Sequence, residues 1–223
     1  MRHHPDDDLL LSYASGAAEE AVALVIATHL AFCAQCRDAV ALMETIGGNL
    51  LEDLPPVALS QTAFAGTAAR LDQAKPFARP ARAASRGASA RAGATIIEAT
   101  PEPLRSYLGG DLPSVRWWRM GPSLAYKPLF RRGRTSVKLL RAAPGTDAGA
   151  HSHRGLELTL VLQGGFTDVT GSYGPGDLQV SDSALSHNPI ADAGEDCINL
   201  AVTTDSLKFE NLLQKIAGPL FGF

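Results

Sequence analysis

The chain has 223 residues, a formal net charge of −3 and 45% hydrophobic residues. This length and composition suit one or two globular domains and exclude a globally disordered protein. The slight acidic excess argues against nucleic-acid binding over the whole surface, so we expect a protein or small-molecule partner.

The N-terminus and the cysteines both indicate the cytoplasm. The first eight residues, MRHHPDDD, have no apolar stretch of a signal peptide behind them. The longest apolar stretch, residues 21–34, is short for a membrane span and contains Thr28 and His29. Three cysteines are an odd number, which is unlike a secreted disulfide scaffold. We expect a cytoplasmic protein that does not span the membrane.

Residues 1–75 have the apolar spacing of helices. Leu9, Leu10 and Tyr13 follow three aspartates that suit a helix N-terminus, and Gly16 can end that helix. The pattern predicts four helical segments: Asp6 to Gly16, Glu19 to Leu30, near Arg37 to Gly47, and a segment after Ser60 that contains Phe64 and Leu71.

Composition then changes twice. Residues 76–94 are rich in Ala, Arg, Pro, Ser and Gly, which predicts a flexible linker. Residues 95–223 contain short apolar runs between glycine-rich turns, which predict a β-sandwich or β-barrel, and residues 206–216 have the spacing of a terminal helix. The predicted fold is a two-domain α + β protein. The predicted strands are residues 137–140, 156–162, 178–180 and 198–202.

A first cluster of metal-ligand residues lies in the helical part. His29 precedes Cys33 by four residues, which places both on one helix face, and Cys36 completes a C-x-x-C. Zinc takes about four nitrogen or sulfur ligands in a tetrahedron, and His3 or His4 can supply the fourth. Two buried thiols or a redox pair are the alternatives. Because three small helices bury little surface, a zinc ion would add stability that a small core lacks.

A second cluster lies on a predicted strand. His151, His153 and Glu157 point to one face because side chains alternate along a strand, and this ligand set suits a first-row metal. His187 is a candidate fourth ligand. The leucines between them point to the opposite face and need a cover, which could be the helical domain, the terminal helix or a second subunit. Those leucines are Leu156, Leu158, Leu160 and Leu162.

Two glycine-and-histidine blocks resemble the paired motifs of the cupin superfamily. They are Gly145-x5-His151-x-His153-x3-Glu157-x6-Gly164 and Gly176-x5-Asp182-x-Ala184-x2-His187. The second block departs from the pattern at Asp182, Ala184 and Ala191, where proline, glycine and asparagine are usual. The resemblance implies a jelly-roll β-barrel that binds Zn²⁺ or another divalent first-row metal through His151, His153, Glu157 and His187. A barrel that has lost its metal is the alternative.

His4 followed by His29-x3-Cys33-x2-Cys36 resembles the zinc-binding anti-sigma domain. The resemblance implies Zn²⁺ at these four residues. It also implies a one-to-one complex with an extracytoplasmic-function sigma factor, on which residues 60–71 would dock.

The two halves in this order resemble the ChrR group of cupin-containing anti-sigma factors. This resemblance implies a negative regulator of transcription that has no catalytic residues and does not bind nucleic acid directly. The cupin domain would release the sigma factor during oxidative stress, in response to singlet oxygen or organic peroxides. Cys197 is a candidate redox participant, although a lone strand cysteine more often belongs to a core.

Two other functions are open. A metal-dependent cupin enzyme such as a dioxygenase, with a helical accessory domain, could use Tyr126, Tyr173 and Arg141 as polar groups around a substrate. A DNA-binding regulator is less consistent with the acidic N-terminal half, which has no basic recognition helix.

Overall fold

The structure is a computed structural model that describes residues 1–73, 100–205 and, for the backbone, 207–209. The predicted linker, residues 76–94, lies outside the described residues. The helices are α1 (Asp7–Ala14), α2 (Glu20–Phe32), α3 (Ala34–Glu52), α4 (Ala63–Gln73) and α5 (Glu102–Leu108), and Leu112–Ser114 forms a 3₁₀ turn.

The strands follow in chain order. They are β1 (Trp118–Arg119), β2 (Leu124–Arg132), β3 (Thr135–Ala142), β4 (His151–His153), β5 (Glu157–Gln163), β6 (Phe166–Asp168), β7 (Gly171–Tyr173), β8 (Leu178–Ser181), β9 (Ser186–His187), β10 (Ile190–Ala191), β11 (Cys197–Thr203) and β12 (Leu207–Phe209). They form a six-stranded sheet, β1-β2-β3-β11-β5-β8, and two three-stranded sheets, β10-β6-β7 and β12-β4-β9. Neighbouring strands are antiparallel, as in β3 with β11 and β5 with β8.

The ends of α1 follow from local chemistry. The Asp6 carboxylate accepts a hydrogen bond from the Leu9 backbone N–H at 2.8 Å, which caps a helix N-terminus. Gly16 has a φ of 73°, a conformation that favours glycine, and it ends the segment as its position predicts. Helix α3 is longer than the predicted segment because Gly47 keeps a negative φ and the helix continues to Glu52.

Helix α2 packs on the outer face of the six-stranded sheet. Val25 and Ile26 are fully buried in one core with Leu158 and Leu160 of β5 and Leu200 of β11. Of the three possible covers for the β5 leucines, the N-terminal helices therefore provide it. Residues 1–47 and the β-strands belong to one compact unit, while the described residues 48–73 belong to a second. The division into a helical domain of residues 1–75, a linker of residues 76–94 and a β domain of residues 95–223 stays a prediction.

The predicted terminal helix is wrong at its start. Leu207–Phe209 forms β12, which pairs with β4 and places Leu207 opposite His153 and Phe209 opposite His151. Pairing with an open strand edge satisfies backbone groups that a helix would satisfy internally, and local periodicity does not reveal that edge. Residues 210–216 lie outside the described residues. Among the described residues, no helix is both long and apolar enough to cross a membrane.

Candidate metal centres

The structure brings His4, His29, Cys33 and Cys36 together, and each offers a ligand atom within 4.8 Å of the others. The His4 Nδ1 atom lies 3.3 Å from Cys33 Sγ and 3.4 Å from Cys36 Sγ, and His29 Nε2 lies 3.3 Å from Cys36 Sγ. Zinc bonds of about 2.1 Å to nitrogen and 2.3 Å to sulfur in a tetrahedron separate such atoms by about 3.6 Å. The four residues therefore fit a zinc ion.

A break between two helices creates this first group. Helix α2 carries His29 in its last turn, and Cys33 has an extended backbone that separates α2 from α3. Cys36 lies in the first turn of α3, and its backbone N–H contacts Cys33 Sγ at 3.4 Å. His4 comes from the segment before α1, whereas the His3 ring stacks against Tyr173, with ring centroids 4.2 Å apart. His4 and not His3 therefore lies in the group.

The first group can reach the ionisation state that zinc binding requires only with a cation beside Cys36. His29 Nδ1 donates to the Gly176 carbonyl oxygen at 2.8 Å, which leaves an Nε2 lone pair facing Cys36. Burial lowers the pKa of His29, so its neutral form is favoured. Burial and the neighbouring Cys33 raise the pKa of Cys36 to about 12. A thiolate at this position therefore needs a positive charge beside it, which Zn²⁺ would supply.

The second group consists of His151, His153, Glu157 and His187, all buried, with ligand atoms within 4.8 Å of one another. Strand pairing creates it because β4 lies beside β9, with His151 opposite His187. His187 Nε2 lies 3.1 Å from the Nε2 atoms of both His151 and His153, and Glu157 Oε2 lies 3.4 Å from His153 Nε2. Metal bonds of about 2.1 Å at angles of about 90–110° separate ligands by about 3.0–3.4 Å.

Hydrogen bonds fix two rings of the second group. His151 Nδ1 donates to the Gly149 carbonyl at 2.8 Å, and His187 Nδ1 donates to Asp168 Oδ2 at 2.7 Å. When both rings are neutral, the Nε2 lone pairs of His151 and His187 face each other. Burial alone lowers the pKa of His187, but the carboxylates of Glu157 and Asp168 raise it above its usual value. The centre of this group therefore attracts positive charge, and a divalent metal fits it.

Two buried charges beside the second group were missed by sequence reasoning. Asp168 accepts hydrogen bonds from His187, from Gln179 Nε2 at 2.7 Å and from Thr170. Lys138 is only 3% exposed, and burial lowers its pKa to about 8 although nearby Glu157 opposes that change. A lysine within an apolar strand is a signal that could have revealed Lys138. Asp168 is the last residue of the short strand β6 and stands at no special spacing from the histidines.

A mainly apolar cavity opens beside the second group. Its wall includes His151, Glu157 and His187 together with Leu140, Phe166 and Cys197. The Cys197 thiol is buried, and burial raises its pKa to about 12, so the thiol is protonated at neutral pH. A protonated buried thiol is a weak nucleophile, and Cys197 packs with Phe166 and Tyr173 as a core residue does.

Comparison with known proteins identifies relatives of the whole chain. Residues 108–206 match the family described as the ChrR cupin-like domain. The chain is 42% identical to the anti-sigma-E factor ChrR of Cereibacter sphaeroides over 221 residues, 99% of this chain and 98% of that protein. It also resembles the crystal structure of Rhodobacter sphaeroides SigE in complex with the anti-sigma ChrR, with a TM-score of 0.74 and 40% identity over 91% of this chain and 98% of the matched chain. The predicted fold, N-terminal helices with a cupin-like β domain, is thereby confirmed.

Proposed function

The chain belongs to the ChrR family of anti-sigma factors, and we propose that it binds an extracytoplasmic-function sigma factor in a one-to-one complex and inhibits it. The observation that carries this proposal is 42% identity over 99% of the chain to an anti-sigma-E factor. Membership of the ChrR family favours a regulator over a cupin enzyme or a DNA-binding protein. A regulator that meets a sigma factor before transcription begins would act in the cytoplasm.

Exposed apolar side chains support a docking surface in residues 48–73. Phe64 of α4 is 85% exposed, and apolar side chains of this size are unfavourable in water unless a partner covers them. We assign the contact with the sigma factor to this segment, including the predicted docking residues 60–71. Its other large exposed apolar residues are Leu50, Leu51, Leu54, Val57, Leu59 and Leu71.

Replacing Phe64 with serine is expected to weaken sigma-factor binding about tenfold or more, because a buried aromatic anchor contributes about 2 kcal/mol or more at an interface. Val169→Ser is the matched control, since Val169 is 78% exposed on the β domain. Isothermal titration calorimetry of the purified full chain with the sigma factor measures both affinities. Equal affinities for the two variants would remove Phe64 from the interface.

We assign Zn²⁺ to His4, His29, Cys33 and Cys36, and Zn²⁺ or another divalent first-row metal to His151, His153, Glu157 and His187. The first ion would be structural, because four nitrogen and sulfur ligands complete a zinc tetrahedron. The second is also held by four side chains, so it would act as a Lewis acid only as an ion that takes more than four ligands and keeps one position for a molecule in the cavity. Release of the sigma factor by singlet oxygen or organic peroxides is assigned to this second site. We assign Cys197 to the core and not to the reaction.

Replacing Asp168 with asparagine is expected to weaken metal binding at the second site about 10- to 100-fold, because Asp168 orients His187 and strengthens it as a ligand. Competition with a chelator of known affinity measures the change. Asp196→Asn is the control, since the Asp196 carboxylate pairs with Arg141 and lies outside the second group. If Asp168→Asn binds the metal as tightly as the control and the unchanged chain, Asp168 does not support His187 as a ligand.

A further inference from the structure

The turn between β7 and β8, residues Gly174–Asp177, contacts the first metal group. Its Gly176 carbonyl accepts the Nδ1 hydrogen of His29 at 2.8 Å. Gly176 has a φ of 88°, and an added Cβ would lie 2.6 Å from Met1 Sδ and 3.0 Å from Phe32 Cβ. The backbone of the turn therefore approaches the N-terminal helices as closely as only glycine permits.

The Asp177 carboxylate in this turn holds the first residues of the chain. Its Oδ1 atom accepts the backbone N–H groups of Arg2 at 2.6 Å and of His3 at 3.1 Å, and its Oδ2 atom accepts that of Gly174 at 3.0 Å. The Leu178 backbone N–H donates to the His3 carbonyl at 3.1 Å. Asp177 is only 6% exposed, so these charge-assisted bonds are shielded from water.

These contacts determine where His4 lies. It follows His3 directly and precedes α1, so no helix hydrogen bond fixes its backbone. Chain termini are poorly ordered unless they are tied down, and ordering a residue costs backbone conformational entropy. If the segment were free, the first group would have to order it on binding a metal. With Asp177 in place, folding of the β domain orders it beforehand.

We propose that Asp177 is a positioning residue of the first metal group, through which the β domain delivers His4 to His29, Cys33 and Cys36. This inference rests on the metal binding assigned above.

The turn continues directly into β8, where Gln179 donates a hydrogen bond to Asp168 and Asp168 accepts one from His187 of the second group. One short strand thus supports both groups, and a shift of β8 at the second group would loosen His4 at the first. Strand β8 would thus connect the second group, to which the oxidative signal is assigned, with the zinc site that holds His4.

The test measures cobalt binding to the full chain, since thiolate-bound Co²⁺ gives a sulfur-to-metal charge-transfer absorption that carboxylate and imidazole ligands do not. Asp177→Ala is expected to weaken the Co²⁺ affinity of the thiolate site about 10- to 100-fold, because the metal must then order the freed segment before His4 can bind it. Asp177→Asn should weaken it less, because one oxygen can still accept a hydrogen bond. The Co²⁺ affinity of the second group, measured in the same chain, should stay unchanged, because the Asp177 carboxylate bonds to none of the four residues of that group.

A pair of variants at His3 separates positioning from general damage to the turn. His3→Pro removes the N–H that Asp177 accepts, whereas His3→Ala keeps it and loses only the ring against Tyr173. We expect the proline variant to weaken thiolate-bound Co²⁺ and the alanine variant to bind it normally. If Asp177→Ala also weakens metal binding at the second group, the comparison of His3→Pro with His3→Ala shows whether Asp177 positions His4.

The outcomes distinguish the two proposals. If the unchanged chain gives no thiolate charge-transfer band, the metal assignment itself fails. If the unchanged chain gives the band and His3→Pro and His3→Ala bind Co²⁺ equally well, the metal assignment stands and the positioning role of Asp177 is overturned.

Discussion

Replacing Cys36 with serine is expected to remove the metal from the first group and to abolish tight binding of the sigma factor. Cys36 is 3% exposed, and its sulfur lies close to both His4 and His29. A serine hydroxyl is a poor zinc ligand, so the affinity should fall by more than the roughly 100-fold cost of losing an outer-shell partner. Metal analysis of the purified chain and calorimetry with the sigma factor measure the two losses.

The control for this change is Cys197→Ser, which alters a cysteine that is equally buried but lies outside both metal groups. It should retain both metals and bind the sigma factor. A metal-free Cys36→Ser chain that bound the sigma factor with unchanged affinity would show that the zinc site does not support inhibition.

The second large effect is expected when His151, His153 and Glu157 are replaced together by alanine. Three of four ligands of the second group are lost, so this site should bind no metal. Inhibition should persist because the exposed apolar segment and the first group are unchanged. The oxidant-induced increase in sigma-dependent transcription should disappear, with the ratio of induced to uninduced activity falling to about one. A transcriptional reporter with a photosensitiser or an organic peroxide measures this ratio.

Ser152→Ala is the matched control, since Ser152 lies between the two histidines of β4 and its side chain points away from them. It should leave the oxidant response intact. Loss of inhibition in the triple variant would contradict this division of roles between the two metal groups.

Local sequence signals predicted much of this structure. The acidic run that begins at Asp6 and the Gly16 stop mark the two ends of α1. The predicted strands lie within β3, β8 and β11 and overlap β5, which begins one residue after Leu156. The histidines of the second group could be grouped because a strand alternates its side chains with a period of two. These features depend on neighbours a few residues apart, which periodicity and spacing record.

Contacts between distant residues could not be predicted in the same way. His29 and Gly176 are 147 residues apart, and no pattern in either segment indicates that one bonds to the other. The same holds for Asp168 with His187, and for β12, whose pairing with β4 replaces the predicted helix over Leu207–Phe209. The choice of the N-terminal helices as the cover for β5 also depends on tertiary packing.

We propose that this chain inhibits a sigma factor by binding it as a metal-loaded protein. Native mass spectrometry of the full chain, co-expressed with the extracytoplasmic-function sigma factor of the same organism, tests it most directly. We expect a one-to-one complex that carries two metal ions, and His29→Ala should remove one ion and the sigma factor together. A chain that carries both metals and remains free of the sigma factor would show that metal loading does not lead to sigma-factor binding.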